Sequence, residues 1–435
     1  MKTTLLSFCT FLIGSTLSFS QSTRYITKDA AIKLAYEKNV GLKIADKDVR
    51  ISKAQYRESA SVFLPSINAK HTGINTTNPL MAFGSKLNQE ILTPSDFNPS
   101  LLNNPNRTTN FATEFTVRQP VIQVAGWQRR KAGQQQLLAS KWQQQRSKEH
   151  LAFQVAQRYM QLQLAQKTRV VIEKSLASAK ANKTLVQDYL AQGMLLKTDL
   201  LEISVHVLEV ENQLQYAKNT IRNQSEELSL LINGSTDITF QPTDSLVANP
   251  VSQFNYTLSE QRADIRAVSS AQKATALLYK AQKLSFLPTL NAFASYAMFD
   301  QQLFGGSANG YTLGAQLSWD LFSGYQRIAK LQKSKAMLEK SNLTLSQYTS
   351  QKQVELDTAV RQFQLAQQQI ITKNTALKQA EESVKITRNR FREGLEKTAD
   401  LLRAETLYAR KQLAYFQAIY QYNTSQDYLA FLTRE

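Results

Sequence analysis

The chain has 435 residues, enough for two or three ordinary domains, and a formal net charge of +18. Its single cysteine, Cys9, excludes an intrachain disulfide framework and a multi-thiolate metal site.

The N-terminus reads as a secretory signal peptide over residues 1–20. Lys2 supplies a positive start, Leu5 to Leu17 form a short apolar run, and Ser18-Phe19-Ser20 precede a cut before Gln21. The run is too short to cross a bilayer. Cys9 lies inside it, so no lipid anchor is expected and the mature chain carries no cysteine. Export argues against nucleic acid as the partner of the positive charge, which leaves anionic membrane surfaces. The basic residues gather in two stretches. Residues 126–150 hold Arg129, Arg130, Lys131, Lys141, Arg146 and Lys148, and residues 324–353 hold Arg327, Lys330, Lys333, Lys335, Lys340 and Lys352. Two solvated helix faces and a basic collar near lipid phosphates are both open readings.

A short phrase occurs twice: "FLPSINAK" at 63–70 and "FLPTLNAF" at 286–293. In each, a proline stops a helix and turns the chain into an extended segment. Alternation follows. "FATEFTVRQPV" (111–121) sets Phe111, Phe115 and Val117 against Glu114, Thr116 and Arg118. "YTLGAQLSWDL" (311–321) sets Tyr311, Leu313, Ala315, Leu317 and Trp319 against Thr312, Gln316, Ser318 and Asp320. Each is about eleven residues, the length of a tilted strand crossing a bilayer. Phe111, Phe115, Val117, Tyr311, Leu313, Leu317 and Trp319 are the expected lipid-facing positions. A soluble antiparallel sheet would show the same alternation; Tyr311 and Trp319 near the two ends resemble interfacial aromatics and favour the membrane. Between the strands of each pair lie a long polar insertion, 79–110, and a short turn, 303–310.

From Gln134 to Gln192 and from Tyr325 to Glu393 there is neither proline nor glycine. These Ala-, Leu-, Gln- and Lys-rich runs predict helices of roughly 90 and 105 Å, too long for one globular domain and suited to a coiled coil or a tube. Leu356, Val360, Phe363, Ile370 and Leu377 keep the matching narrow stripe. Each run ends at a glycine, Gly193 or Gly394, and Asp-Leu-Leu follows six residues on. The glycines fit helix C-caps, and Thr198, Asp199, Thr398 and Asp400 fit the start of a return helix. The chain is therefore a duplication. Residues 21–233 form a first repeat, with strands at about 63–78 and 109–122 and a hairpin tip near 193–199. A linker spans 234–258. Residues 259–435 form a second repeat, with strands at about 287–302 and 311–322 and a tip near 394–400.

Four strands do not close a barrel, and open edges in hydrocarbon are prohibitive. Two copies give eight strands and a nearly filled interior, whereas three give twelve with room for water. The sequence resembles the TolC-like outer-membrane efflux protein family over essentially its whole mature length. The matching pieces are "AAIKLAYEKN" (30–39), the two Phe-Leu-Pro phrases, "QPVIQVAGWQRR" (119–130), "QRADIRAV" (261–268), "WDLFSGYQR" (319–327) and the two glycine turns. The resemblance implies a mainly α chain with a membrane β-barrel portion. In the homotrimer, four strands per chain make a twelve-stranded barrel, and coiled-coil hairpins form a periplasmic tunnel. It implies an outer-membrane location with a long periplasmic extension. The partners it implies are outer-membrane lipid, a periplasmic membrane-fusion adaptor and an inner-membrane pump of the resistance-nodulation-division or ABC type, with no cofactor.

Two departures stand out. The second-half helix usually opens Arg-Pro-Asp in that family; here it opens Arg262-Ala263-Asp264. Acids in the second-half turn can ring the narrowed periplasmic end. Asp400 matches one such position, but Arg403 stands one turn later where an acid is common. The candidate gate is therefore Asp199, Glu202, Asp400 and Arg403, with helix capping as the alternative role of the two aspartates. The candidate adaptor-docking tip is Gly193, Met194, Leu195, Gly394 and Leu395. His71, His150 and His206 share no ligand spacing, and no phosphate loop or nucleophile motif occurs, so no catalysis and no metal site is expected. A type I protein-secretion duct of the same fold and a soluble periplasmic coiled-coil scaffold are the competing readings.

Overall fold

The computed structural model describes residues 22–233, 238–250, 254 and 256–434. The expected signal peptide and Cys9 lie outside the described residues, as do several positions of the expected linker. The described elements are β1 (Ser22–Ile26), α1 (Lys28–Lys38), α2 (Val40–Glu58), β2 (Ser66–Thr76), α3 (Pro79–Asn88), α4 (Pro99–Asn103), β3 (Thr108–Ile122), α5 (Val124–Ala191), α6 (Lys197–Asn233), β4 (Ile238–Pro242), α7 (Ala263–Leu284), β5 (Thr289–Asp300), β6 (Ala308–Ser318), α8 (Gln326–Arg392) and α9 (Thr398–Thr433). The two halves repeat helix, strand pair, long helix, return helix. The second-half strand ends at Ser318, short of the expected 322, which leaves Trp319 outside the ladder. The 79–110 insertion is folded, with two helices, where the sequence reads as a polar loop.

Two compact units emerge. One is built from residues 22–43, 148–257 and 356–434, the other from 44–147 and 258–355. In the first, β1 and β4 pair in parallel. This small sheet escapes the sequence reading because five-residue strands carry too few alternations to stand out. Phe240 and Ile26 from these strands join Ala31, Ala35, Leu151, Val155, Tyr159, Leu162, Leu228 and Ile232 in one buried cluster. Tyr159 crosses that core and donates a hydrogen bond to the Ile26 carbonyl at 3.0 Å.

In the second unit the four long strands form one antiparallel sheet, ordered β2-β3-β5-β6. The repeated Phe-Leu-Pro phrase is the joint where helix gives way to this sheet. Pro65 and Pro288 end helical continuation there, so the carbonyl two residues upstream needs a donor from elsewhere. Gln119 Nε2 donates to the Phe63 carbonyl at 3.0 Å, and Trp319 Nε1 donates to the Phe286 carbonyl at 3.0 Å. A guanidinium covers each phenylalanine ring: Arg130 lies 5.7 Å from the centroid of Phe63 and Arg327 lies 4.4 Å from that of Phe286. Arg327 also donates to the Ser285 carbonyl at 2.6 Å and to the Asp320 carbonyl. Cation and ring attract through the ring quadrupole.

The start of α7 holds a buried ion cluster. Arg262 is fully buried, and its guanidinium forks onto the Asp264 carboxylate at 3.1 and 2.7 Å. Arg146 from α5 stands 3.7 Å from the same carboxylate, and Tyr348 from α8 donates to it at 3.0 Å. Asp264 thus ties three helices together. Burial alone would raise its pKa, but the hydrogen bond from Arg262 and the charges of Arg146 and Arg262 hold it below the usual 3.8. Burial and the Asp264 charge push the Tyr348 hydroxyl up to about 12.

Removing one partner of a buried ion pair costs about 3–5 kcal/mol, because the other charge stays buried. Asp264→Asn should therefore lower the thermal unfolding midpoint strongly, and Tyr348→Phe only slightly. A carboxylate with a depressed folded pKa contributes stability above its unfolded value and loses it as pH falls through the folded one. The wild-type midpoint should drop on acidification below 3.8, and Asp264→Asn should flatten that drop. Scanning unfolding at stepped pH measures both.

Candidate functional site

Register decides which side chains share a face of the sheet. Directly paired residues in antiparallel strands point to the same side. The chain of pairs Ala69↔Phe115, Phe115↔Tyr296 and Tyr296↔Tyr311 therefore fixes one face. Ile67↔Val117, Val117↔Ala294 and Ala294↔Leu313 lie beside it. This apolar face carries Phe111, Phe115, Val117, Tyr311, Leu313 and Leu317, as the alternation predicts. It is open: Tyr311, Leu313 and Leu317 are 77%, 69% and 69% exposed. Trp319 departs from the expectation, because it lies beyond the strand and its indole serves the Phe286 carbonyl.

The opposite face is polar. Asn68, Lys70, Glu114, Thr116, Arg118, Asn291, Ser295 and Gln316 line a concave cavity there of about 1300 Å³. Lys70 and Glu114 are direct cross-strand partners. Among the described residues the outer strands β2 and β6 each have one neighbour only, so one ladder edge of each is unpaired there.

Both hairpin tips belong to the first unit. Gly193 and Gly394 adopt φ of 73° and 74°, the left-handed region open to glycine. The next N–H reaches back five residues at each tip, Met194 to Tyr189 at 2.8 Å and Leu395 to Arg390 at 2.9 Å. Each glycine N–H bonds three residues back, to Leu190 and to Phe391 at 3.0 Å. This is the Schellman closure at both ends. Val186, Ile203, Phe391, Leu401 and Leu402 form one core that joins the two tips. Met194 and Leu395 are exposed, as expected of an outer tip; Leu195 packs inward against the core, and Leu196 takes the exposed place.

The candidate gate residues divide by role. Asp199 Oδ2 accepts from the Leu196 N–H at 3.0 Å, a capping bond. Asp400 makes no such bond; the cap residue of α9 is Lys397, and Thr398 is fully buried. Asp400 instead accepts from Arg403 at 3.3 Å, one turn along the same helix, with Arg403 80% exposed. Exposed pairs of this kind contribute about 0–1 kcal/mol, so the pair does not bridge separate elements of one chain. Glu202 is exposed. A stronger polar link lies deeper. Glu405 Oε1 accepts from Arg388 at 3.0 Å, Asn182 at 2.7 Å and Ser178 at 2.9 Å, which joins α9, α8 and α5. Its trace in the sequence is an acid four residues after Leu401, on the apolar stripe of α9.

The histidines stay apart in role. His71 stacks on Phe304 at 4.5 Å, His150 meets Phe431, and His206 lines a groove beside Glu209. Among the described residues no group of three His, Cys, Asp or Glu is placed to hold a metal ion. No described helix is long and apolar enough to cross a membrane. The basic stretches are partly internal: Arg146 serves Asp264, Lys148 lies over the Tyr36 ring and Lys352 pairs with Glu355.

Residues 256–433 match the family model of outer membrane efflux proteins. Among solved structures, the fold matches that of CusC, studied for its folding and transmembrane channel formation. Identity there is 18%, with a TM-score of 0.80 over 94% of this chain and 92% of that one. It also matches the Campylobacter jejuni CmeC outer membrane channel, at 16% identity and a TM-score of 0.82 over 93% and 85% of the two chains. The Vibrio cholerae outer membrane protein VceC matches at 16% and 0.80 over 93% and 95%. Curated proteins give no sequence match.

The Glu405 link generates a direct test. Glu405→Ala removes the acceptor shared by Arg388, Asn182 and Ser178; Arg388, about a third exposed, can turn to water, but the buried Asn182 amide is left without its partner, at about 1–3 kcal/mol. Glu405→Gln keeps an acceptor and should cost less. Proteolysis at the tips, read as the rate of cleavage near Gly394, should rise strongly for the alanine variant and modestly for the glutamine one.

Proposed function

We propose that this chain, a TolC-like outer membrane efflux protein by family match and by fold, is the passive outer-membrane duct of a tripartite export system. The observation that carries this reading is the sheet: one apolar face, one polar concave face and two unpaired edges. In lipid, every backbone N–H and C=O must find a partner, so the edges must pair with other copies. Three copies supply twelve strands, enough to close around water. The apolar face then meets outer-membrane lipid and the polar face lines the duct, with the helices on the periplasmic side. The soluble-scaffold reading leaves the apolar face without a partner. A periplasmic adaptor docks on the tips, at Gly193, Met194, Leu196, Gly394 and Leu395, and an inner-membrane pump supplies the energy. The chain does no chemistry of its own.

Native mass measurement in mild detergent tests the assembly: three chains are expected, and a protein that washes from membranes without detergent overturns the reading. Leu313→Arg places a charge against lipid, at about 2–4 kcal/mol per copy near the midplane, and should block assembly. Gln316→Arg, on the polar face, should assemble and change conductance. Identical behaviour of the two would refute the face assignment.

The tips generate a second expectation. In three copies Asp199, Glu202 and Asp400 crowd together, and Arg403 offsets their repulsion. Arg403→Ala should therefore loosen the closed end and raise single-channel conductance. The Asp400→Ala, Arg403→Ala double variant should deviate from additivity, because the residues are in contact. Unchanged gating in both removes the tip charges from the gate.

A further inference from the structure

The polar face of the sheet is not open along its whole length. On β3, residues 108, 110, 112, 114, 116 and 118 alternate onto that face. Glu114, Thr116 and Arg118 line the open cavity. Thr108 and Asn110, farther from the helices on the same face, are buried, and so is Ala308 on β6. What covers this end is the insertion between β2 and β3. Ala82, Ser85 and Gln89 fall at helical spacing on and just after α3, all three buried, and α3 packs on β3. Gln89 Nε2 donates to Asn110 Oδ1 at 2.7 Å and to the Thr109 carbonyl at 2.9 Å. Asn110 belongs to the polar face, so its bond to Gln89 places the insertion on the polar side of the sheet and not on the apolar one.

The insertion is also ordered within itself. Asn78 caps α3 through the Met81 N–H, and Thr93 and Asp96 form a capping box. Lys86 pairs with Asp96 at 2.6 Å, and Phe83 meets Phe97 edge-on at 5.7 Å. The side of α3 turned from the sheet is apolar and open, with Leu80 82% exposed and Leu87 56% exposed. Such groups, on the polar side of a water-filled barrel, stand where solute must pass.

We infer that residues 79–106 form the outer constriction of the duct: α3, anchored by Gln89 to the polar face of β3, limits the cross-section of solute that leaves. This rests on the reading that three copies close the sheet into a barrel. Closure brings three such caps to the far mouth, where Leu80 and Leu87 line what opening remains. The insertion is then a determinant of cargo size, independent of the periplasmic tips.

Thiol labelling in intact cells tests this without involving the tips. Cys9 is the only cysteine, and a Cys9→Ser background leaves no thiol but the one introduced. Thr116→Cys puts a thiol on the polar face below the cap. Maleimides of graded polymer size are added outside the cells, with the cap intact, with Gln89→Ala, with Lys86→Met, and with residues 80–104 replaced by a short Gly-Ser linker. The intact cap should admit only the small reagents. The linker variant should admit polymers severalfold larger, and the two point variants should fall between. A size cut-off that is the same in all four overturns the inference. Should the linker variant fail to assemble, the point variants decide. Failure of the smallest reagent to label any variant overturns the duct reading itself, and this inference with it.

Discussion

The duct reading rests on one constraint: a β-strand edge has no water to bond to inside a bilayer. Each unsatisfied N–H or C=O there costs several kcal/mol. The edges of β2 and β6 each present about eleven residues of backbone, alternately facing a neighbour and facing nothing. No arrangement of one chain relieves this, because the two hairpins already form one four-stranded sheet and its ends remain. For such a sheet placed in lipid, association follows from the backbone before any side chain is considered. The side chains then decide which face of the sheet is apolar, because a one-residue slip would carry the whole apolar set to the opposite face. Gly73 beneath Phe111, and Gly314 beneath Phe293, leave space for a ring across the strand pair, and so mark the register from both faces.

The duplicated joint shows how far two copies of one element drift while the physics holds. Both copies keep the proline, and both therefore need a donor for the upstream phenylalanine carbonyl. The first repeat uses an amide, Gln119, and the second an indole, Trp319. Both place a guanidinium on the phenylalanine ring, though Arg130 also covers Tyr56 and Arg327 also reaches two carbonyls. The unit kept in both repeats is a satisfied carbonyl under a covered ring. The sequence shows the proline and the phenylalanine plainly; the donors are visible only in three dimensions, because they lie 56 and 33 residues away.

What could be read in advance follows the same line. Period-two alternation over eleven residues fixed the faces of β3 and β6, and the glycines fixed both tips, because each is a local signal repeated twice. Trp319 lies one residue past the end of β6, since alternation does not tell where a ladder ends. The 79–110 segment read as polar loop because its helices are short and its apolar residues are split between two sides. Arg262 and Asp264 looked like an ordinary helix start. Their burial comes from Arg146 and Tyr348, which arrive from distant helices. Glu405 was hidden for the same reason.

The charge pattern carries the argument one step further. Helix starts favour acids and disfavour cations. α6 and α9 each carry an acid in the first turn, Asp199 and Asp400, beside a lysine at the helix start, Lys197 and Lys397. α5 and α8 break it: neither has an acid in its first turn, and Arg129, Lys131, Lys330 and Lys333 stand exposed soon after each start. The two groups of helix starts differ in what precedes them. α6 and α9 follow glycine turns, whereas α5 and α8 follow the last residues of β3 and β6, which on the proposed duct reading meet the headgroup layer. On that reading, cations placed there would gain phosphate partners outside the protein. An acid in the first turn at both tip starts, and none at both sheet-side starts, is the pattern that different surroundings at the two kinds of helix start would leave in the sequence.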